Sequence, residues 1–231
     1  MKIHGLQKMT LLDFPGKVAC TVFFGGCDFR CPFCHNFELV DGSAEPIMEE
    51  EELLSFLEKR KGLLDGVAIT GGEPCLQKDL PEFLGKIKAM GYQVKLDTNG
   101  NHPDMLKTLL QNHLVDYVAM DIKNSPEKYA QTIGLAAIDL TKVRESVRLL
   151  MTGEVEYEFR TTVIEQLHEA EDFEKIGQWI GGAKHYFLQA FADRDSVPFD
   201  GFSAPGAEKM KQFAQIAGRF VRDTQIRGVD L

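Results

Sequence analysis

The chain has 231 residues, 44% of them hydrophobic and 26% charged, with 21 Gly and 9 Pro. This excludes disordered, collagen-like and low-complexity classes and leaves length for one large α/β domain with a substantial core. A net charge of −9 argues against a broad phosphate-binding surface, and so against nonspecific nucleic-acid or anionic-membrane binding. No apolar run reaches the roughly 18 residues that span a bilayer, and Met1-Lys2-Ile3-His4-Gly5 has no signal-peptide core. A cytoplasmic protein is therefore expected.

Short β-rich runs alternate with segments of helical periodicity. Strands are predicted over 18–24, 67–70, 93–97, 117–121, 157–163 and 186–191, most of them nearly all apolar, as buried parallel strands are. Leu53/Leu54/Leu57, Leu80/Phe83/Leu84/Ile87, Leu106/Leu109/Leu110, Val143/Val147/Leu150 and Phe173/Ile176/Ile180 each make one apolar helix face. Asp79-Leu80-Pro81-Glu82 reads as a capping box, and a last helix is predicted over 205–221. Six successive βα units imply a parallel sheet with right-handed crossovers, a partial (β/α)6 barrel or an open sheet, short of the eight units of a closed barrel. One domain is expected over 1–231, with a core over about 16–191, an N-terminal segment 1–15 and a C-terminal loop and helix over 192–231.

Thr70-Gly71-Gly72-Glu73, Asp97-Thr98-Asn99, Asp121-Ile122-Lys123 and Arg160 fall at or near the C-terminal ends of predicted strands, where α/β proteins gather their chemistry. Taken singly, each fits a loop or a helix cap as well. Five cysteines is an odd number, and three crowd into Cys27-Asp28-Phe29-Arg30-Cys31-Pro32-Phe33-Cys34, just after the first predicted strand and behind Gly25-Gly26. That suits a reduced compartment and metal ligation better than a disulfide framework. Three cysteines on a four-iron cluster leave one iron open, whereas a closed zinc site needs a fourth ligand such as His35. Both readings stand on spacing alone, as does a set of unligated thiols. Cys20 and Cys75 read as small packing residues, Cys75 less firmly because it follows Pro74.

The CxxxCx(aromatic)C run, with Phe33 in the aromatic place, and Gly71-Gly72-Glu73-Pro74 resemble the hallmarks of the radical S-adenosylmethionine enzymes. The resemblance implies a radical SAM core of the partial-barrel type and one 4Fe-4S cluster on Cys27, Cys31 and Cys34. It also implies S-adenosylmethionine on the open iron, contacted by Phe33, Gly71, Gly72, Glu73, Pro74, Asn99, Lys123 and Arg160. Cys34-His35-Asn36, Leu96 to Gly100, Asp121-Ile122-Lys123 and Asp13-Phe14-Pro15-Gly16 are similar to segments of the glycyl-radical-enzyme activating branch. By that likeness Lys123 and Arg160 hold the methionyl carboxylate, and Asp97, Thr98 and Asp121 match a monovalent-cation site. The implied activity is that of an oxidoreductase that takes a glycine Cα hydrogen from a partner enzyme, foremost an anaerobic ribonucleotide reductase. A one-electron donor such as flavodoxin or ferredoxin is implied with it. The alternatives are radical chemistry on a small molecule such as a 7-deazaguanine precursor, and a non-catalytic zinc-binding interaction protein. Phe191 stands where the activating branch has a His, with Gln189 a possible substitute, and the loop from Asp193 to Pro205 carries no readable motif.

Overall fold

The computed structural model describes residues 1–228, so positions 229–231, the tail of the expected 192–231 segment, lie outside the described residues. The chain divides into two compact units, Met1–Asp28 with Asn36–Val118, and Phe29–His35 with Ala119–Leu231.

The first unit contains β1 (Lys2–Ile3), β2 (Gly5–Thr10), β3 (Ala19–Phe24), α1 (Phe37–Asp41), β4 (Met48–Glu49), α2 (Glu50–Glu58), β5 (Gly66–Gly71), α3 (Leu80–Ala89), β6 (Gln93–Thr98) and α4 (Pro103–Gln111). Its strands run in the order β6-β5-β3-β2, with β3, β5 and β6 parallel and β2 antiparallel to β3. The apolar runs predicted as buried parallel strands are just that: Val22, Val67, Ile69, Val94 and Leu96 are fully buried. Leu53 and Leu57 of α2 and Leu84 and Ile87 of α3 are fully buried as well, and Phe83 meets Phe24 edge-on at 5.7 Å between ring centroids. The i, i+3, i+4 spacing in the sequence thus marks the inward face of each helix.

Two features depart from expectation. Asp79 precedes α3 but makes no side-chain cap, because its ψ of 6° is not the extended conformation that aims a cap side chain at the first turn. Glu82 is instead drawn to Lys86, at 2.9 Å. True capping boxes form at α2, between Glu49 and Glu52, and in the second unit between Glu169 and Asp172. The other departure is β2, whose Gln7, Lys8 and Met9 are exposed, so that it lacks the apolar signal of an inner strand.

The second unit takes in the end of β7 (Tyr117–Asp121), then α5 (Tyr129–Thr132), α6 (Leu140–Thr152), β8 (Glu156–Val163), α7 (Ala170–Trp179), β9 (Tyr186–Ala190), α8 (Ala207–Gly218) and β10 (Thr224–Arg227). The order is β10-β9-β8-β7, with β8, β9 and β10 parallel. Phe173 of α7 stacks on Phe213 of α8 at 4.4 Å, and both rings are buried. The six predicted strands correspond to β3, β5, β6, β7, β8 and β9, and the helices between them to α2, α3, α4, α6 and α7. The four-residue β10 is too short to announce itself by periodicity. Among the described residues, no helix is long and apolar enough to cross a membrane.

Candidate functional site

In the first unit the site is built where β3, β5 and β6 end. The stem of the cysteine loop, Gly25-Gly26, is held by backbone and side chains alike: Gly25 N–H donates to His4 Nδ1 at 3.0 Å, Gly26 N–H to the Leu39 carbonyl at 2.7 Å, and Gln77 Nε2 to the Gly25 carbonyl at 3.0 Å. The loop after β5 closes on the same stem, since Gly72 N–H donates to the Phe24 carbonyl and Glu73 N–H to the Gly26 carbonyl, at 2.9 and 2.8 Å. This approach explains the glycine pair. A Cβ at Gly72 would lie 2.0 Å from the Gly26 carbonyl oxygen, and one at Gly71, whose φ is +126°, would lie 2.3 Å from the Phe24 backbone. The close contact that the glycines permit is thus with the stem of the cysteine loop.

Glu73 is fully buried, its carboxylate turned into the unit. One oxygen accepts the Cys75 N–H and the Thr98 hydroxyl, both at 2.9 Å, and the other accepts the Asn99 N–H at 2.6 Å. Burial raises its pKa above the ordinary value, and these neutral donors oppose the shift without cancelling it. Glu73 therefore braces the end of β5 against the end of β6. Pro74 is buried at the start of a single 3-10 turn, Pro74–Leu76.

A second carboxylate, Asp28, lies inside the cysteine loop. It accepts from Asn99 Nδ2 at 2.8 Å, Asn101 Nδ2 at 2.6 Å and His102 Nε2 at 3.0 Å. Burial works against its ionisation, but the bonds from His102, Asn101 and Asn99 win and hold the carboxyl at about 2. Asn99 Nδ2 also lies 4.0 Å from Cys27 Sγ. Asp97 pairs with Lys95, an ammonium only 3% exposed. Asp28, Lys95, Asn101 and His102 had no motif to single them out. Their only trace in the sequence was proximity to Cys27 and to Asp97-Thr98-Asn99.

In the second unit the arrangement is ionic. Asp121, at the end of β7, accepts Lys123 Nζ at 2.8 Å on one oxygen and Arg160 Nε at 3.0 Å on the other, and Ile122 N–H donates to the Arg160 carbonyl at 2.7 Å. Desolvation disfavours the Asp121 anion, but the two cations outweigh it and lower its pKa to about 2. Lys123 in turn is held charged, above its ordinary range, against the cost of burial. Burial pushes the Cys31 thiol up to about 11, and nearby Lys123 favours its thiolate. Behind the pair, buried His168 accepts the Ile164 N–H at Nδ1, at 3.1 Å, which leaves Nε2 to donate to the Lys123 carbonyl at 2.9 Å.

Phe33 is buried and meets Phe202 edge-on at 6.4 Å. This seats the far end of the Asp193 to Pro205 loop, where Ser203 also accepts the Glu165 N–H at 2.8 Å. Phe191 stacks on His35 at 5.4 Å, so that its ring is engaged by the residue next to Cys34. Gln189 is half-buried. Cys20 is fully buried with its thiol pushed up to about 12, and burial likewise raises Cys75, the behaviour of unreactive packing thiols.

Among the described residues no cysteine is in a disulfide. Cys27, Cys31 and Cys34 follow one another at CxxxCxxC spacing, with an amide donor at Cys27 and an ammonium near Cys31, each of which favours thiolate. Three sulfur donors are the number that a 4Fe-4S cluster with one open iron takes.

The model of the Radical SAM superfamily matches residues 21–179. Over 236 residues, covering 99% of this chain and 96% of the relative, the sequence is 29% identical to the "Putative glycyl-radical enzyme activating enzyme" of Methanocaldococcus jannaschii. It is 36% identical over 135 residues to the pyruvate formate-lyase-activating enzyme of Clostridium pasteurianum, covering 53% of this chain and 52% of that one. Among solved structures, a radical SAM methyltransferase from Sphaerobacter thermophilus superimposes with a TM-score of 0.75 at 15% identity, over 96% of this chain and 70% of the other. That likeness bears on the fold, an α/β architecture with a mostly parallel sheet of the partial-barrel kind. Because the cysteine loop, the Gly71–Pro74 turn and the strand ends bearing Lys123 and Arg160 all fall inside the matched stretch, the chain belongs to the radical SAM superfamily, which works with a 4Fe-4S cluster and S-adenosylmethionine.

Proposed function

We propose that this chain, acting as a single domain in an anaerobic cytoplasm, is an activase that generates a glycyl radical on a partner enzyme, foremost an anaerobic ribonucleotide reductase. The observation that carries this reading is the similarity to a glycyl-radical enzyme activating enzyme along 99% of the chain. When bound, the cluster and S-adenosylmethionine supply one-electron cleavage of the sulfonium and a 5′-deoxyadenosyl radical able to abstract hydrogen.

The chain's own residues divide the remaining work. Cys27, Cys31 and Cys34 would hold the cluster, and Phe33, buried in the same loop against Phe202, would steady the loop that carries them. The loop from Gly71 to Pro74 offers backbone groups to the methionyl ammonium while Glu73 keeps that loop in place, and Asn99 fixes the neighbouring strand end. Lys123 and Arg160 present positive charge to the methionyl carboxylate, with Asp121 orienting both. The monovalent cation expected at Asp97, Thr98 and Asp121 is a separate part of the reading, tested by the dependence of cofactor affinity on sodium or potassium. A flavodoxin or ferredoxin would supply the electron.

The test is anaerobic reconstitution followed by low-temperature paramagnetic resonance of the reduced protein, with and without S-adenosylmethionine, and then with the reductase. The expected outcome is a cluster signal altered by the cofactor, a glycyl-radical doublet on the reductase and about one 5′-deoxyadenosine per radical. 5′-Deoxyadenosine formed only with a 7-deazaguanine precursor would replace the protein substrate by a small molecule. Full zinc occupancy with no cluster signal would overturn the radical reading.

A further inference from the structure

Asn99 is 6% exposed and its hydrogen-bonding capacity is nearly all committed. Its backbone N–H goes to Glu73, and its side-chain oxygen accepts the Asn101 N–H at 2.9 Å. That second bond settles which end of the amide is which, since an N–H must face an oxygen, and it leaves Nδ2 with two hydrogens. One points to the Asp28 carboxylate at 2.8 Å, and the sulfur of Cys27 lies 4.0 Å from the same nitrogen. Asp28 is itself pinned by Asn101 and His102, so the amide cannot swing away from the thiol without breaking bonds to two loops.

From this geometry we infer that Asn99 is a positioning residue for the iron–sulfur cluster: its amide holds an N–H against the Cys27 sulfur and raises the cluster's reduction potential. A donor on a ligand thiolate withdraws electron density from sulfur, and it stabilises the reduced cluster, which carries one more negative charge, more than the oxidised one. The role differs from contact with S-adenosylmethionine, for which Asn99 has no uncommitted amide hydrogen. The inference rests on Cys27 being a cluster ligand.

The experiment compares reconstituted wild-type protein with Asn99→Leu and Cys27→Ala, measuring iron and sulfide content and then the reduced-to-oxidised cluster ratio in a mediated redox titration without S-adenosylmethionine. Asn99→Leu is expected to keep its iron and to show a ratio about tenfold lower at a fixed potential, which for a one-electron couple corresponds to about 59 mV. A second measurement needs no variant. Pulsed paramagnetic resonance of the reduced wild-type protein labelled with 15N-asparagine should show one weakly coupled nitrogen, and it decides the matter if Asn99→Leu fails to hold iron. An unchanged ratio at full iron content, or no coupled asparagine nitrogen, overturns the role of Asn99 and leaves the ligand assignment standing. Full iron in Cys27→Ala overturns the ligand assignment itself.

Discussion

Two carboxylates at strand ends, buried Glu73 in one unit and half-buried Asp121 in the other, meet opposite fates. Glu73 is surrounded by neutral donors, two backbone N–H groups and a hydroxyl, and burial raises its pKa. Asp121 has fewer bonds but two cations, and its pKa falls to about 2. At Glu73 the neutral donors do not outweigh desolvation, whereas at Asp121 the two cations do. The Glu73 site is accordingly a brace made of neutral hydrogen bonds, and the Asp121 site is a cluster of paired charges.

Breaking the brace should do the most damage. Glu73→Ala strands three buried donors and is expected to cost about 4 kcal/mol at 1–3 kcal/mol for each, seen as a large fall in the urea midpoint. Gly72→Ala, which drives a Cβ into the Gly26 carbonyl, should cost about 3 kcal/mol and lower iron content after reconstitution by displacing the stem of the cysteine loop. Asp121→Asn should cost less, about 2 kcal/mol, because Lys123 and Arg160 are 16% and 14% exposed and water can reach them. Its mark would be a changed affinity for S-adenosylmethionine at unchanged iron content.

A pH series sharpens the contrast through its sign. Asp121 has a lowered folded pKa, so its contribution is complete above the ordinary carboxyl value of 3.8 and is lost as pH falls through about 2. Glu73 has a raised folded pKa, so its contribution is complete below 4.5 and declines as pH rises through the folded value. Thermal midpoints should show Asp121→Asn flattening the acid limb and Glu73→Gln flattening the decline on the other side. The smallest effect belongs to Asp79→Ala, which removes a carboxylate that caps nothing and should leave the thermal midpoint where it was.

Much of the fold was legible because period and burial coincide. The runs at β3, β5, β6, β7, β8 and β9 are apolar since parallel strands are covered on both faces, and the helix spacings point inward for the same reason. What had no such period went unseen: β2 with its exposed Gln7, Lys8 and Met9, the short β10, and the real capping boxes, whose Glu caps are less common than Ser or Asp.

The sequence by itself determined the chemistry on offer. Three cysteines at CxxxCxxC spacing, a glycine pair before Glu73 and charged residues at strand ends are local facts, written in neighbouring positions. Only the tertiary structure decided how those groups are employed. That Glu73 faces inward, that Asp28 gathers Asn99, Asn101 and His102 and that His168 holds the Lys123 carbonyl are contacts between residues whose separation in sequence carries no signal. A side chain's role is set by which donors and charges surround it after burial, and pattern reports the burial but not the surroundings.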